Sequence, residues 1–99
     1  MYPSALSKIR ILDLTHFVAG PYCTKLLADF GAEVIKVERP DGGDKARYLP
    51  PCKGDLHGPE HSLLFQYLNT NKKSVTLDLK SRVGKKAFLD IIELCDLLI

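Results

Sequence analysis

IRILDLTHFVAGPYCTKLLADFGAEVIKVERP, residues 9–40, is the stretch that decides the fold. Ile9 to Leu14 is mostly apolar with little room for a solvent face, as a strand covered on both sides is in a parallel sheet. Thr15 to Gly20 then reads as a strand-to-helix loop. Gly20 suits an N-cap and Pro21 the first helical position, where its missing N–H would have lacked a partner anyway. Cys23, Leu26, Leu27 and Phe30 recur at helical spacing and define an apolar stripe, with Lys25 and Asp29 outside it. Gly31 is placed to end the helix in the left-handed conformation. Val34 to Val37 reads as a second strand, closed by Glu38-Arg39-Pro40, since a proline cannot extend a central ladder. The whole is a β-α-β unit.

Outward from this unit, Asp41 to Pro59 is a long polar connection with DGGD, a Pro-Pro pair and KGDLHGP. Loops of that length inside a compact domain are uncommon and often functional. Glu60 to Leu68 can form a short helix presenting Leu64, Phe65 and Leu68, followed by a polar turn through Lys73. Val75 to Leu79 alternates apolar and polar residues and reads as a third strand. Ser81 is a candidate N-cap for a helix whose buried stripe is Ala87, Phe88, Ile91, Ile92 and Cys95. Leu97-Leu98-Ile99 reads as a fourth strand. The order β-α-β-loop-β-α-β implies an α/β fold with a Rossmann-like, mostly parallel sheet and right-handed crossovers. The sequence stops on the apolar run of a strand, so residues 1–99 are expected to be the N-terminal part of a domain that continues downstream.

The 99 residues, 45% of them apolar, suit one modest core. Fourteen basic against twelve acidic residues leave a net charge of +2, and the basic residues are scattered, which argues against nucleic acid but leaves room for a local cationic pocket. Cys23, Cys52 and Cys95 are odd in number and form no CxxC pair, so neither a disulfide framework nor a structural zinc site is expected. No apolar run approaches the length of a membrane-spanning helix, and residues 1–8 lack the core of a signal peptide. A cytoplasmic protein is expected, or one of an organelle matrix in a eukaryote.

In open α/β sheets the ligand crevice lies beyond the carboxyl ends of the strands. That rule selects His16 to Gly20, Glu38-Arg39 and Leu79-Lys80, and sends Lys72 and Lys73 to the opposite end of the sheet. The HFVAGP turn lacks the glycines of GxGxxG, so a dinucleotide pyrophosphate is not expected against the helix, although Glu38 falls near the place of a ribose-binding acid. Arg39 is either a phosphate ligand, for which its planar fork is suited, or a solvated arginine paired with Glu38 or Asp44. Cys23 reads as a buried structural thiol rather than as the partner of His16 in a nucleophilic pair. His57 and His61 have i, i+4 spacing, but Gly58 and Pro59 spoil the helix that a metal site would need. Asp13 and Asp78 are expected to hydrogen-bond neighbouring turns. The residues alone thus reach a nucleotide- or cofactor-binding half-domain.

RILDLTHFVAGPYCTKLLADFGAEVIKVERPDGGD, YLNTNKKSVTLDLKS and the closing helix and strand, in this order and spacing, resemble the N-terminal part of the family III CoA-transferases. That family includes formyl-CoA transferase, the carnitine CoA-transferases and the α-methylacyl-CoA racemases. The resemblance runs from about Lys8 to Ile99. It implies a Rossmann-like CoA-binding domain in a homodimer of interlocked subunits, acting on an acyl-CoA and a carboxylic acid, with no prosthetic group or metal. It further implies an aspartate nucleophile that forms a mixed anhydride and then an aspartyl-CoA thioester, a relay that splits a difficult exchange into easier steps. No aspartate here occupies that motif, so no catalytic residue is expected in this chain. By motif, Val18-Ala19 correspond to the dipeptide near the reacting end of CoA, Arg39 to the arginine at its nucleotide end, and Leu77-Asp78-Leu79-Lys80 to the adenosine pocket. Formyl-CoA transferase carries glutamine where Val18 stands, which points away from an oxalate-type acceptor. A racemase or epimerase of the same fold, and a non-catalytic nucleotide-binding or interaction module, are the alternatives.

Overall fold

A computed structural model describes residues 4–54, 56 and 58–99. Along the chain come β1 (Arg10–Asp13), α1 (Ala19–Asp29), β2 (Glu33–Glu38), a 3-10 turn (Lys45–Tyr48), α2 (Leu63–Leu68), β3 (Lys73–Thr76), α3 (Arg82–Ile92) and β4 (Leu97–Leu98). The strands form a parallel four-stranded sheet in the order β3-β2-β1-β4. This is the α/β, Rossmann-like architecture that the β-α-β reading implies. The chain steps outward from β1 to β3 and then crosses back to the far side of β1, so the strand order reverses between β1 and β4.

Ile11, Leu12 and Asp13 are consecutive and all buried, which only a strand covered on both faces can achieve. Ile11, Val34, Ala28 and Ala32 form the core, with Leu6, Leu27 and Ile99 packed against it. Gly31, at φ +106°, closes α1 in the left-handed region as expected.

Helix α1 departs from expectation in two ways. It begins at Ala19 with Val18 as N-cap, so Pro21 is its third residue, still within the turn whose N–H groups have no helical partner. Its buried face is Pro21, Thr24 and Ala28, while Cys23, Leu26 and Phe30 of the expected stripe are exposed, Phe30 by 62%. Thr24 turns inward because its hydroxyl donates to the buried Asp13 carboxylate at 2.6 Å. Close packing of α1 needs small residues there: a Cβ on Gly20 would overlap the Thr15 side chain. Cys23 is therefore a solvent-facing thiol, not a buried one.

Strand β3 spans Lys73–Thr76, earlier than the alternating pattern suggests, because its register with β2 ends where Glu38 meets Thr76. Leu77 to Lys80 consequently leave the sheet as a loop. α2 is shorter than expected and begins after Ser62, whose hydroxyl accepts the Phe65 N–H. Ser81 caps α3 as expected, accepting the Gly84 N–H at 2.9 Å. Ala87, Phe88, Ile91, Ile92 and Cys95 are half-buried.

Candidate functional site

Two buried ion pairs stand at the carboxyl end of β1. Asp13, the last residue of β1, accepts the Thr15 N–H and hydroxyl with Oδ1, and the Thr24 hydroxyl and the Lys72 ammonium (3.1 Å) with Oδ2. Lys36, its register partner on β2, pairs with Asp44 Oδ2 at 2.7 Å and donates to the Thr15 carbonyl at 3.0 Å. Asp44 Oδ1 in turn accepts the Phe17 and Ala46 N–H groups. Burial alone would raise both carboxyls. The Thr15 and Thr24 hydroxyls, the Thr15 N–H and Lys72 hold Asp13 below the ordinary aspartate value, and Lys36 with two N–H groups does the same for Asp44. The Lys72 ammonium is shifted down as well, because its burial, with the nearby Lys36 adding to it, outweighs the attraction of Asp13. Both partners of that pair move down, and the carboxylate direction is the one its four donors explain.

Lys72 corrects the strand-end expectation. Its backbone precedes β3, but β3 starts level with Ile35 in the middle of β2, so the side chain reaches Asp13 and also donates to the Pro21 and Asn69 oxygens. Asp13 does bond its neighbouring turn, as expected, while holding a lysine 59 residues away.

Glu38 is not placed as a ribose acid. Its carboxylate is gripped by the Arg47 fork, with Nε and Nη2 each at 2.8 Å, by the Ser74 hydroxyl at 2.8 Å and by the Asp44 N–H at 3.0 Å. Burial pushes this carboxyl up, but those donors prevail and lower it from 4.5 to about 2. The Arg47 guanidinium also lies 3.9 Å from the Phe65 ring centroid, joining the long connection to α2.

With Glu38 taken by Arg47 and Asp44 by Lys36, neither carboxylate pairs with Arg39 among the described residues. Arg39 is exposed and donates through Nε and Nη2 to the Gly43 carbonyl, each at 3.3 Å, which folds it over the 41–43 turn. It borders a cavity of about 590 Å³ beyond the ends of β1, β2 and β3. Leu14, Val37, Leu77 and Leu79 supply apolar walls, and His16, Arg39, Lys80, Asp41 and Asp78 supply polar groups. Five of the seven residues expected at the ligand, Arg39 and Leu77 to Lys80, therefore meet around one space. Val18 and Ala19 sit at the start of α1, exposed and outside that lining. Asp78 is turned to its own loop, accepting the Lys80 N–H with its carboxylate and the Ser81 hydroxyl with its carbonyl.

His16 reaches toward Asp44, its Nδ1 3.8 Å from Oδ1, while lining the cavity. His57 lies outside the described residues, and among those described no group of three or more His, Cys, Asp or Glu is arranged around a possible metal. No helix of the described residues is long and apolar enough to cross a membrane.

Residues 6–99 match the model of CoA-transferase family III. The chain belongs to that family. Among curated family III relatives, succinyl-CoA:mesaconate CoA-transferase of Haloarcula hispanica is 47% identical over 95 residues, covering 96% of this chain and 24% of its own length. Formyl-CoA:oxalate CoA-transferase of Rhodopseudomonas palustris is 50% identical over 97 residues, covering 96% of this chain and 21% of its own. This family III chain thus spans about a quarter of the length of the curated relatives it matches. Among solved structures, a CAIB/BAIF family protein from Brucella suis superposes with a TM-score of 0.84 at 27% identity, over 98% of this chain and 25% of that one. A Mycobacterium tuberculosis protein in an orthorhombic crystal form gives 0.82 at 38% identity, over 97% of this chain and 26% of its own.

The buried lysines Lys36 and Lys72 are what sequence reasoning missed. Lysine is almost never fully buried unless paired, so the expectation places it outside. The available signal was Lys36 itself, a lone charge in the middle of Val34-Ile35-Lys36-Val37, which needed a carboxylate nearby.

Proposed function

We propose that the cavity beyond β1, β2 and β3 binds the nucleotide part of coenzyme A, and that the full-length protein transfers CoA from an acyl-CoA to a carboxylic acid. The observation that carries this reading is Arg39, free of carboxylate partners among the described residues, at the rim of a cavity with apolar walls. Leu77, Asp78, Leu79 and Lys80 receive the adenosine, Arg39 a phosphate, and Val18-Ala19 lie toward the thiol end. The reacting aspartate belongs to a part of the protein outside this chain. It attacks the thioester carbonyl, forming a mixed anhydride and releasing CoA thiolate; the thiolate attacks the aspartyl carbonyl, which gives the aspartyl-CoA thioester and frees the donor acid as its carboxylate. The acceptor carboxylate then displaces CoA thiolate to form a second mixed anhydride, and the thiolate attacks its acyl carbonyl, which yields the new acyl-CoA and regenerates the aspartate. An interlocked homodimer working in the cytoplasm completes the proposal.

Isothermal titration of the full-length protein with CoA tests it. Arg39→Ala removes charge-assisted bonds to phosphate worth about 1.5–3 kcal/mol, so binding should weaken by about ten- to a hundredfold. Lys86→Ala, which removes a pair with Asp90 on the exposed face of α3, should leave it unchanged. Equal affinities for wild type and Arg39→Ala would overturn the assignment.

A further inference from the structure

Three backbone groups of the loop after β1 are held by buried charges from three other places in the chain. The Thr15 N–H goes to Asp13, the Thr15 carbonyl accepts from Lys36, and the Phe17 N–H goes to Asp44. Asp13, Lys36 and Asp44 are between 0% and 1% exposed. Phe17 meanwhile sits at φ +67°, a conformation that costs a non-glycine residue roughly 1 kcal/mol or more and persists only where the surroundings enforce it. The next two residues are Val18 and Ala19. Two buried ion pairs are a poor means of gaining stability, since apolar residues of similar shape often serve as well or better. They are a good means of fixing a backbone, because each charge demands its partners at defined positions.

We infer that Lys36, Asp44, Asp13 and Lys72 are positioning residues, which clamp the Thr15–Phe17 backbone so that Val18 and Ala19 meet the thiol-bearing arm of coenzyme A in one conformation. This rests on the reading of the cavity as a CoA site. The charges touch no ligand themselves. They act through the loop, so their removal should be felt at the arm of CoA and not at its nucleotide.

Two probes separate these ends: coenzyme A and adenosine 3′,5′-bisphosphate, which lacks the pantetheine arm. Both are titrated calorimetrically into the full-length wild type, Lys36→Met, Lys36→Arg and the double variant Lys36→Met/Asp44→Asn, with stoichiometry reporting the folded fraction. The double variant leaves no orphaned charge, so it decides the matter if the single one misfolds. Wild type should bind CoA more tightly than the bisphosphate. Lys36→Met and the double variant should lose about tenfold in CoA affinity, the value of one well-made hydrogen bond, with bisphosphate affinity held within about twofold. Lys36→Arg, which restores the cation, should recover part of the loss. Equal losses for both probes, no loss for either, or misfolding of both the single and the double variant would make the pairs merely structural and overturn the inference. A wild type that binds both probes equally would show that the arm adds nothing and would also overturn the inference, whereas one that binds neither would instead refute the CoA-site reading beneath it.

Discussion

Glu38 offers a prediction whose size and sign both follow from its contacts. Its carboxylate ties the end of β2 to Ser74 on β3, to the Asp44 N–H and to Arg47, with both side chains of the Arg47 pair at least 85% covered. A carboxyl lowered from 4.5 to about 2 contributes at most about 3 kcal/mol at neutral pH, at about 1.4 kcal/mol per tenfold change in proton affinity. Because the folded-state value is the lower one, the contribution is complete above pH 4.5 and is lost as the pH falls toward 2. Glu38→Gln keeps the shape and removes the titration. Urea unfolding of the full-length protein at pH 7, 5, 4 and 3 should therefore show the variant less stable by up to about 3 kcal/mol at pH 7, with the gap closing progressively below pH 4.5. Asp13 and Asp44 are also lowered, but they are common to both proteins and cancel in the difference. A gap that stays constant between pH 7 and pH 3, or widens in acid, would refute the reasoning.

Other outcomes follow from the same contacts. Lys72→Met strands the buried Asp13 carboxylate and should cost about 3 kcal/mol or more in urea unfolding, whereas Asp13→Asn/Lys72→Met should recover much of it. Thr24→Val keeps the volume and removes the hydroxyl that donates to Asp13 at 2.6 Å; a loss of about 1.5–3 kcal/mol is expected from the same melts. Gly84→Ala drives a Cβ into the Asp78 carbonyl, so about 1–3 kcal/mol of stability should go, with weaker CoA binding by titration because Asp78 borders the cavity.

The β-α-β reading succeeded because burial on both faces leaves a direct mark in composition: Ile11, Leu12, Val34 and Val37 could not have been surface residues. Ser81 was legible for the same local reason, since a cap acts within its own turn. What failed was set by partners distant in sequence. Thr24 enters the core for the sake of Asp13, so the hydrophobic pattern of α1 pointed to the wrong face. Lys36 and Lys72 are buried by carboxylates that no periodicity announces. The long connection carries its order through Arg47 and Ser62, the latter donating to the Ala46 and Leu49 carbonyls. Of the site, the strand-end rule located Arg39 and Leu79-Lys80. It also selected His16, which does line the cavity, but it could not anticipate that Val18 and Ala19 stand outside that lining or that Arg39 is released from both carboxylates.

The register of the sheet has a consequence for how anything could lie in the cavity. Asp13 ends β1 level with Lys36, but β2 continues two residues to Glu38, where it meets the last residue of β3. At about 3.3 Å per residue this is a step of roughly 7 Å, so the floor beneath the cavity is a staircase that rises from β1 toward β2 and β3. Arg39 stands on the upper tread and the His16 loop leaves from the lower one. A long molecule laid across it would find its two ends at different heights and in different company, and would have only one way round to lie.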